Sequence, residues 1–471
     1  MRRGAAGTAA AHTTVESLGA AGTVTGSKHL VTHGARRVLL DCGLFQGVKA
    51  LRERNWMPPE VDVAGLDAVV LSHAHIDHSG YLPLLVRRGY AGPVYCTPAT
   101  ADLLEILLPD AAHLQEEEAE FANRHGYSKH HPAMPLYTAA DVRVALRRLR
   151  PVGYGERLAI ADDVVLRLRC AGHILGSAIV DLELDGRRPA RVVFSGDLGR
   201  WQRPILRDPE LVEEADILLV ESTYGDRDHP PGADDRLAEV VQAVDAARGV
   251  LIIPSFAVGR TQELLWRLRQ LEEHRRIPLL PLYLDSPMAI DVTDVYARHP
   301  EDHDLEMQAL TDTRRHPLAC ERQQIVRRAT DSKGLNDLSG PMIIIAGSGM
   351  ATGGRVLHHL KRRLPDAHTT VLLPGFQAAG TRGRALQEGA PEVRIHGESV
   401  PVRARIVTLE GLSAHADRAD LLRWLGGFRR PPAATSVVHG EPHAADQLAA
   451  TIRAKLGWDA RVAAPHACLS L

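Results

Sequence analysis

Apolar residues in this chain come in short runs, and each run stops on a polar or acidic residue followed by a Gly-rich turn. "RRVLLDCG" (36–43), "LDAVVLSH" (66–73), "ARVVFSGDLG" (190–199) and "DILLVESTYG" (216–225) share this form. It places the polar residue at the carboxyl end of a strand. "DVVLRLR" (163–169) and "VDLELDG" (180–186) alternate instead, which predicts half-buried antiparallel strands. The first 225 residues therefore read as a sheet-rich α/β domain with its reactive loops along one edge.

The middle of the chain follows another grammar. "RGVLIIPSFAVGRTQELLWRLRQL" (248–271) is strand, turn and helix, with Leu264, Leu265, Leu268 and Leu271 forming one apolar stripe. Residues 340–364 and 369–388 repeat the unit, so a parallel sheet covered by helices is expected. The charge-rich stretch 290–335 has no clear place beyond helical segments. From about residue 400 the earlier style returns, as it would for one domain inserted into another. The expected division is a disordered leader (1–13), a first domain (14–222), an insert (223–400) and the return to the first domain (401–471).

Composition narrows the classes. A chain of 471 residues with 45% apolar and 24% charged residues is globular and too long for one core. No apolar run has the length to cross a bilayer, and the N-terminus lacks the apolar centre of a signal peptide. Five scattered cysteines without a C-x-x-C pair argue for a reducing, cytoplasmic setting and against a cysteine zinc site. The net charge of −2 means that any polyanion site must be a local concentration of charge.

Chemistry concentrates at "VVLSHAHIDHSG" (69–80), where His73, His75, Asp77 and His78 follow a buried strand. Adjacent side chains point apart, so four ligands this close suit two neighbouring cations better than one tetrahedral ion. Further ligands would lie on other strand ends: His173 in "CAGHILGSA", Asp197 in "VVFSGDLGR" and His439 in "SVVHGEPH". Singly each is an ordinary cap or turn residue; jointly they complete two sites.

This set resembles the metallo-β-lactamase fold. "ESTYGDR", "GLSAHADRADL", "VVHGE", "GAAGTVTGSKHLV" and "GSGMATGGRVLHHL" resemble its subfamily with an inserted β-CASP domain, which processes nucleic acid. Bacterial members similar to the nuclease subunit of the mRNA 3′-end cleavage machinery look nearest. The resemblance implies an αββα sandwich carrying an inserted α/β domain. It also implies two zinc ions per chain, one on His73, His75 and His173, the other on Asp77, His78 and His439, with Asp197 bridging. Asp41 would support the site from behind, and His415, oriented by Glu221, would be the general acid. Asp77, Glu221, His415 and Asp41 form the expected catalytic set.

In the insert, "GSGMATGGR" follows a buried strand and opens a helix, so Ser348, Gly349, Thr352, Gly353 and Arg355 are expected to receive a substrate phosphate. It is no Walker A loop, because Gly-Lys-Ser/Thr is absent. Arg355, Lys361, Arg362, Arg363, Arg382 and Arg384 cluster around it. With aromatics at 4%, extended base stacking is not expected, and recognition led by the RNA backbone is. The expected activity is hydrolysis of single-stranded RNA, with endonuclease favoured and exonuclease open. Alternatives are a DNA-processing nuclease of the same fold, from which the final-motif His439 points away, and a small-molecule metallo-hydrolase, which the long insert disfavours. An inactive interaction subunit is disfavoured by the complete ligand set. The chain lacks the long C-terminal extension of ribonuclease J relatives, so a monomer or homodimer is expected.

Overall fold

The computed structural model describes residues 12–126, 130–311, 317–378 and 380–471. Most of the expected leader, residues 1–11, lies outside them, and Thr13 already opens the first strand. Two compact units emerge: one contains the chain up to Trp201, Asp208–Asp228 and His415–Leu471, and the other contains Gln202–Arg207 and His229–Ala414.

The strands up to the insert are β1 (Thr13–Ser17), β2 (His29–His33), β3 (Arg36–Leu40), β4 (Ala68–Val70), β5 (Val94–Cys96), β6 (Leu149–Pro151), β7 (Arg157–Ala161), β8 (Val164–Cys170), β9 (Ala178–Leu184), β10 (Ala190–Phe194) and β11 (Ile217–Glu221). The insert supplies β12 (Val250–Ser255), β13 (Leu282–Asp285), β14 (Gln323–Ile325), β15 (Met342–Gly347), β16 (Thr369–Leu373), β17 (Glu392–Ile395), β18 (Glu398–Pro401) and β19 (Arg405–Thr408). The chain then closes with β20 (Ala434–Val438), β21 (Ala460–Val462) and β22 (Cys468–Ser470).

The first unit is a sandwich of two seven-stranded sheets, ordered β22-β1-β2-β3-β4-β5-β6 and β21-β20-β11-β10-β9-β8-β7. Alternation in β3, β8, β9 and β10 sends Val38, Leu40, Leu166, Val180, Leu182 and Phe194 into one shared core. Behind the second sheet, Leu421, Trp424 and Leu448 of the helices Arg418–Leu425 and Pro442–Leu456 pack on Val193, Leu218 and Val437. The helices Leu82–Arg87 and Pro98–His125 bury leucines beside the first sheet. This is the expected αββα arrangement. β3 runs parallel to β4 in the first sheet, and β10, β11 and β20 run parallel to one another in the second, so within each sheet these carboxyl ends lie on one edge.

The insert carries a parallel six-stranded sheet, β14-β13-β15-β12-β16-β19, beside a small β17–β18 hairpin. Val250, Ile252, Ile344 and Val371 pack against Val356, Leu357 and Leu360. The expected stripe of Leu264, Leu265, Leu268 and Leu271 is buried, on the helix Arg260–Glu273. Two features differ from the sequence reading. Residues 405–408, read as a return to the first domain, form β19 and pair with β16 in the insert's own sheet. The unplaced stretch 290–335 supplies part of the helix Pro287–Arg298, the helices Leu305–Thr311 and Ala329–Gly334, and the edge strand β14. No helix among the described residues is long and apolar enough to cross a membrane.

Candidate active site

The first unit's strand ends converge on one buried cluster. After β3, Asp41 takes a left-handed conformation (φ 59°), unusual for a residue with a side chain. There its Oδ1 accepts the Ser72 N–H (2.7 Å), and its Oδ2 accepts Ser27 Oγ–H (2.9 Å) and His78 Nδ1–H (2.7 Å). Asp41 therefore binds the back of His78 and turns Nε2 into the cluster, a device common behind metal-ligating histidines. Ser72 does the same for His73, through Oγ at 3.0 Å from Nδ1.

Asp77 and His78 open a four-residue helix, Ile76–Ser79, directly after His75. The chain leaving β3 crosses this turn so closely that a Cβ on Gly43 would stand 1.6 Å from Asp77 O, so glycine is required. Gly199 has a similar role: its Cβ would meet Gly172 O at 2.0 Å, beside His173. His439 follows β20 with φ 49°, and its Nδ1 lies 3.1 Å from Thr223 Oγ1.

Donor atoms about 2.1 Å from a tetrahedral zinc stand roughly 3.3–3.4 Å from one another. His73 Nε2 and His75 Nδ1 are 3.1 Å apart, and His75 Nδ1 and His173 Nε2 are 3.4 Å apart. Asp197 Oδ2 lies 3.5 Å from His73 Nε2 and 3.6 Å from His173 Nε2. In a second set, His439 Nε2 is 3.1 Å from His78 Nε2 and 3.4 Å from Asp77 Oδ2. Asp197 Oδ2 is also 3.4 Å from His78 Nε2. Two tetrahedral edges thus share one carboxylate oxygen, and the donor set fits a pair of cations.

The electrostatics divide the cluster: burial would lower the His78 pKa, but Asp197, Asp77 and Asp41 outweigh it and raise it well above the ordinary histidine value. Burial drives the His75 pKa down to about 4 and that of His73 well below the ordinary value, leaving neutral imidazoles with lone pairs to offer. Burial would raise Asp197, but His439, His78 and His415 outweigh it and hold the carboxylate ionised.

Beside the cluster, His415 Nδ1 meets Glu221 Oε1 and Oε2 at 3.1 and 3.3 Å. Glu221 ends β11, is fully buried, and accepts the N–H groups of Leu198 (2.7 Å) and Thr223 (3.2 Å). Burial alone would lower the His415 pKa, but Glu221 and Asp197 outweigh it and raise it above the ordinary histidine value. The structure therefore brings together His73, His75, Asp77, His78, His173, Asp197, Glu221, His415 and His439, with Asp41 behind them. Sequence reasoning missed Ser27, Ser72 and Thr223, which are ordinary polar residues by spacing alone.

The insert loop departs from expectation. Ser348, at φ 83°, uses Oγ to accept the N–H groups of Thr352 (3.0 Å) and Gly353 (3.3 Å), amides that were expected to face a phosphate. Arg355 is committed as well: Nη1 donates to Asp285 Oδ1 (2.8 Å) and Val326 O (3.0 Å), and Nη2 donates to Arg327 O (2.7 Å). Lys361 pairs with Glu398 and Arg384 with Glu388, while Arg363 and Arg382 donate to backbone carbonyls. Arg355 braces the loop from the buried carboxylate of Asp285, which needs donors, and Arg382 braces it by donating to Ala351 O (3.3 Å) and Thr352 O (3.0 Å). Gly349 lies against the ring of Phe256.

Comparison with known proteins follows the same lines. The Beta-lactamase superfamily domain matches residues 36–254, the Beta-Casp domain residues 261–386, and the Zn-dependent metallo-hydrolase RNA specificity domain residues 399–463. Ribonuclease TTHA0252 of Thermus thermophilus is 42% identical over 426 residues, covering 90% of this chain and 92% of that protein. Transcription termination factor FttA of Methanocaldococcus jannaschii is 33% identical over 451 residues, covering 93% of this chain and 68% of that one. A crystal structure of a protein of unknown function from Enterococcus faecalis V583 shares the fold, with a TM-score of 0.55 at 13% identity, covering 98% of this chain and 100% of that one.

Proposed function

The chain belongs to the β-CASP family of metallo-β-lactamase-fold hydrolases acting on RNA, and from that premise we propose that it hydrolyses phosphodiester bonds of single-stranded RNA at two zinc ions. His73, His75 and His173 would hold one ion and Asp77, His78 and His439 the other, with Asp197 between them. The observation that carries this reading is the shared edge at Asp197 Oδ2, within 3.4–3.6 Å of His78, His73 and His173. Cations held there supply Lewis acidity, making water a better nucleophile at neutral pH and offsetting charge on the phosphoryl oxygens.

The protein's own residues do the rest. Asp41 and Ser72 hold His78 and His73 in the tautomer that points Nε2 inward. Thr223 orients His439 in the same way. His415 protonates the leaving oxygen from Nε2, since its Nδ1 is engaged by Glu221. Glu221 and Asp197 outweigh burial and raise its pKa above the ordinary histidine value, which favours the protonated form. Among the described residues the five cysteines form no disulfide, and four of them are buried, which supports a reducing compartment such as the cytoplasm.

The test is an incubation of 5′-labelled and 3′-labelled single-stranded RNA and DNA with zinc-loaded protein. RNA should be cut and DNA spared, with internal fragments from both labels. DNA cleavage at an equal rate would overturn the RNA assignment in favour of a DNA-processing enzyme, and mononucleotide release would replace internal cleavage with exonuclease action.

A further inference from the structure

The insert's sheet has a switch point of its own. β12 connects through the helix Arg260–Glu273 to β13, which lies beyond β15, whereas β15 connects through the helix Val356–Arg363 to β16, which lies beyond β12. The two connections therefore leave neighbouring parallel strands in opposite directions. In open α/β sheets the crevice outside such a pair of carboxyl ends is where ligands bind. Here it lies between Ser255 and Gly347, partners in the β12–β15 register.

Two phenylalanines stand at that edge. Phe256 follows β12 and is 47% exposed, and Phe376 comes shortly after β16 and is 53% exposed. The chain has six phenylalanines in all, so two half-exposed at one sheet edge is a concentration. Their backbones are stapled in place. Thr261 Oγ1–H donates to Phe256 O (2.7 Å), and buried Gln377 donates from Nε2 to Gly349 O (3.2 Å) and Gly375 O (3.4 Å). The Phe256 ring lies so close to Gly349 that a Cβ there would stand 2.7 Å from Cδ2. The Arg260 guanidinium is near as well, with Nη2 3.7 Å from the Cβ position of Gly375. Arg355, Lys361, Arg363, Arg382 and Arg384 around the loop are engaged in pairs and backbone bonds, as described above. What this edge offers a ligand is therefore chiefly aromatic surface on a rigid frame.

Resting on the RNA reading above, we infer that the carboxyl edge of the insert's sheet binds an unpaired nucleobase of the substrate, stacked on Phe256, with Phe376 as the second ring of the site. Every base has a π-face, so stacking is sequence-tolerant, and only an unpaired base can leave its own neighbours to stack on a side chain. The site selects single strands over duplexes without reading sequence. It also reverses the expectation, drawn from the low aromatic content, that recognition is led by the RNA backbone.

The test is a binding measurement on the full chain, with metal chelated so that no strand is cut. The probes are a fluorescent single-stranded RNA and a strand of the same length made of abasic residues. Phe256→Ala should weaken binding of the intact strand by roughly ten- to one-hundred-fold, and Phe256→Trp should stay within a few-fold of wild type. The slope of log affinity against log salt should not change, since stacking releases no counterions. The abasic strand should bind wild type and Phe256→Ala alike. Should Phe256→Ala prove misfolded by thermal melting, Phe376→Ala provides the same comparison. An equal loss on both strands, or undiminished binding of the intact strand, overturns the base site; undiminished binding would favour a protein-contacting role for these rings. Failure of wild type to bind the intact strand overturns the RNA reading itself.

Discussion

His415 presents Nδ1 to both carboxylate oxygens of Glu221, at 3.1 and 3.3 Å. Glu221 is in turn pinned by two backbone amides, so the imidazole has a rigid seat. A general acid typically contributes 10²–10⁴-fold in rate. His415→Ala should lose about that much in single-turnover cleavage while keeping its metal and its RNA affinity. Glu221→Gln should lose less, because the amide still holds the ring but no longer favours its charged form. A substrate with an activated phenolic leaving group needs no proton and should partly rescue His415→Ala. Loss of metal from His415→Ala, or no selective rescue, would assign the residue a different job.

Asp197 joins the two donor sets through one oxygen, so its removal should affect both. Elemental analysis of wild type purified without chelator should find about two zinc ions per chain. Asp197→Ala should retain well under half of that and show no cleavage. His439→Ala should fall towards one ion. Full metal content in Asp197→Ala would exclude a shared ligand.

Thr223 Oγ1 lies 3.1 Å from Nδ1 of His439, one of the proposed ligands. Thr223→Val keeps the shape and removes the hydroxyl, so His439 loses the partner that sets its tautomer. Loss of such a partner typically costs 10–100-fold in metal affinity or activity. Competition with a chelator should detect it, and an unchanged zinc affinity would make Thr223 only a strand-end cap.

How much of this was legible follows from the distance over which each contact acts. His73, His75, Asp77 and His78 announce themselves because they share one turn, and His173, Asp197 and His439 because each follows an apolar strand. Ser27, Ser72 and Thr223 carry no such signal: polar residues end most strands, and only the fold shows which face a ligand. Arg355 misled for the same reason. Beside a glycine-rich turn it looks like a phosphate contact, but its partner Asp285 is 70 positions away. β19 alternates like any half-buried strand, and its place in the insert's sheet depends on pairing with β16.

Glu263 is buried in the insert among Arg203 (2.7 Å), Arg267 (2.9 Å) and Arg260 (3.7 Å). Burial would raise its pKa, but the guanidinium groups outweigh it and bring it from 4.5 down to about 2. A depressed carboxyl stabilises the fold above its unfolded pKa and loses that contribution as pH falls through the folded value. At roughly 1.4 kcal/mol per pKa unit, the shift from 4.5 to about 2 is worth about 3 kcal/mol. Insert stability should therefore decline between about pH 4.5 and 2. Denaturant melts of Glu263→Gln should show a lower midpoint at neutral pH and a flatter acid limb. An unchanged acid limb would place the acid sensitivity elsewhere.

The last prediction separates bracing from phosphate binding at Arg355. Asp285 is fully buried and accepts from Arg355, His359 Nε2 (2.7 Å) and Ser332 Oγ (2.5 Å). Arg355→Ala removes one of these donors and frees the carbonyls of Val326 and Arg327. Breaking one side of a buried ion pair costs about 3 kcal/mol or more. In a domain of this size that is roughly 6–12 °C of melting temperature. Lys361, paired with Glu398 at the surface, should cost little when replaced. If bracing is the role, Arg355→Ala melts lower yet binds RNA with an unchanged salt dependence at temperatures where it is folded. Were Arg355 a phosphate contact, the slope of log affinity against log salt would become shallower by about 0.7 for single-stranded RNA, and the melting temperature would barely move.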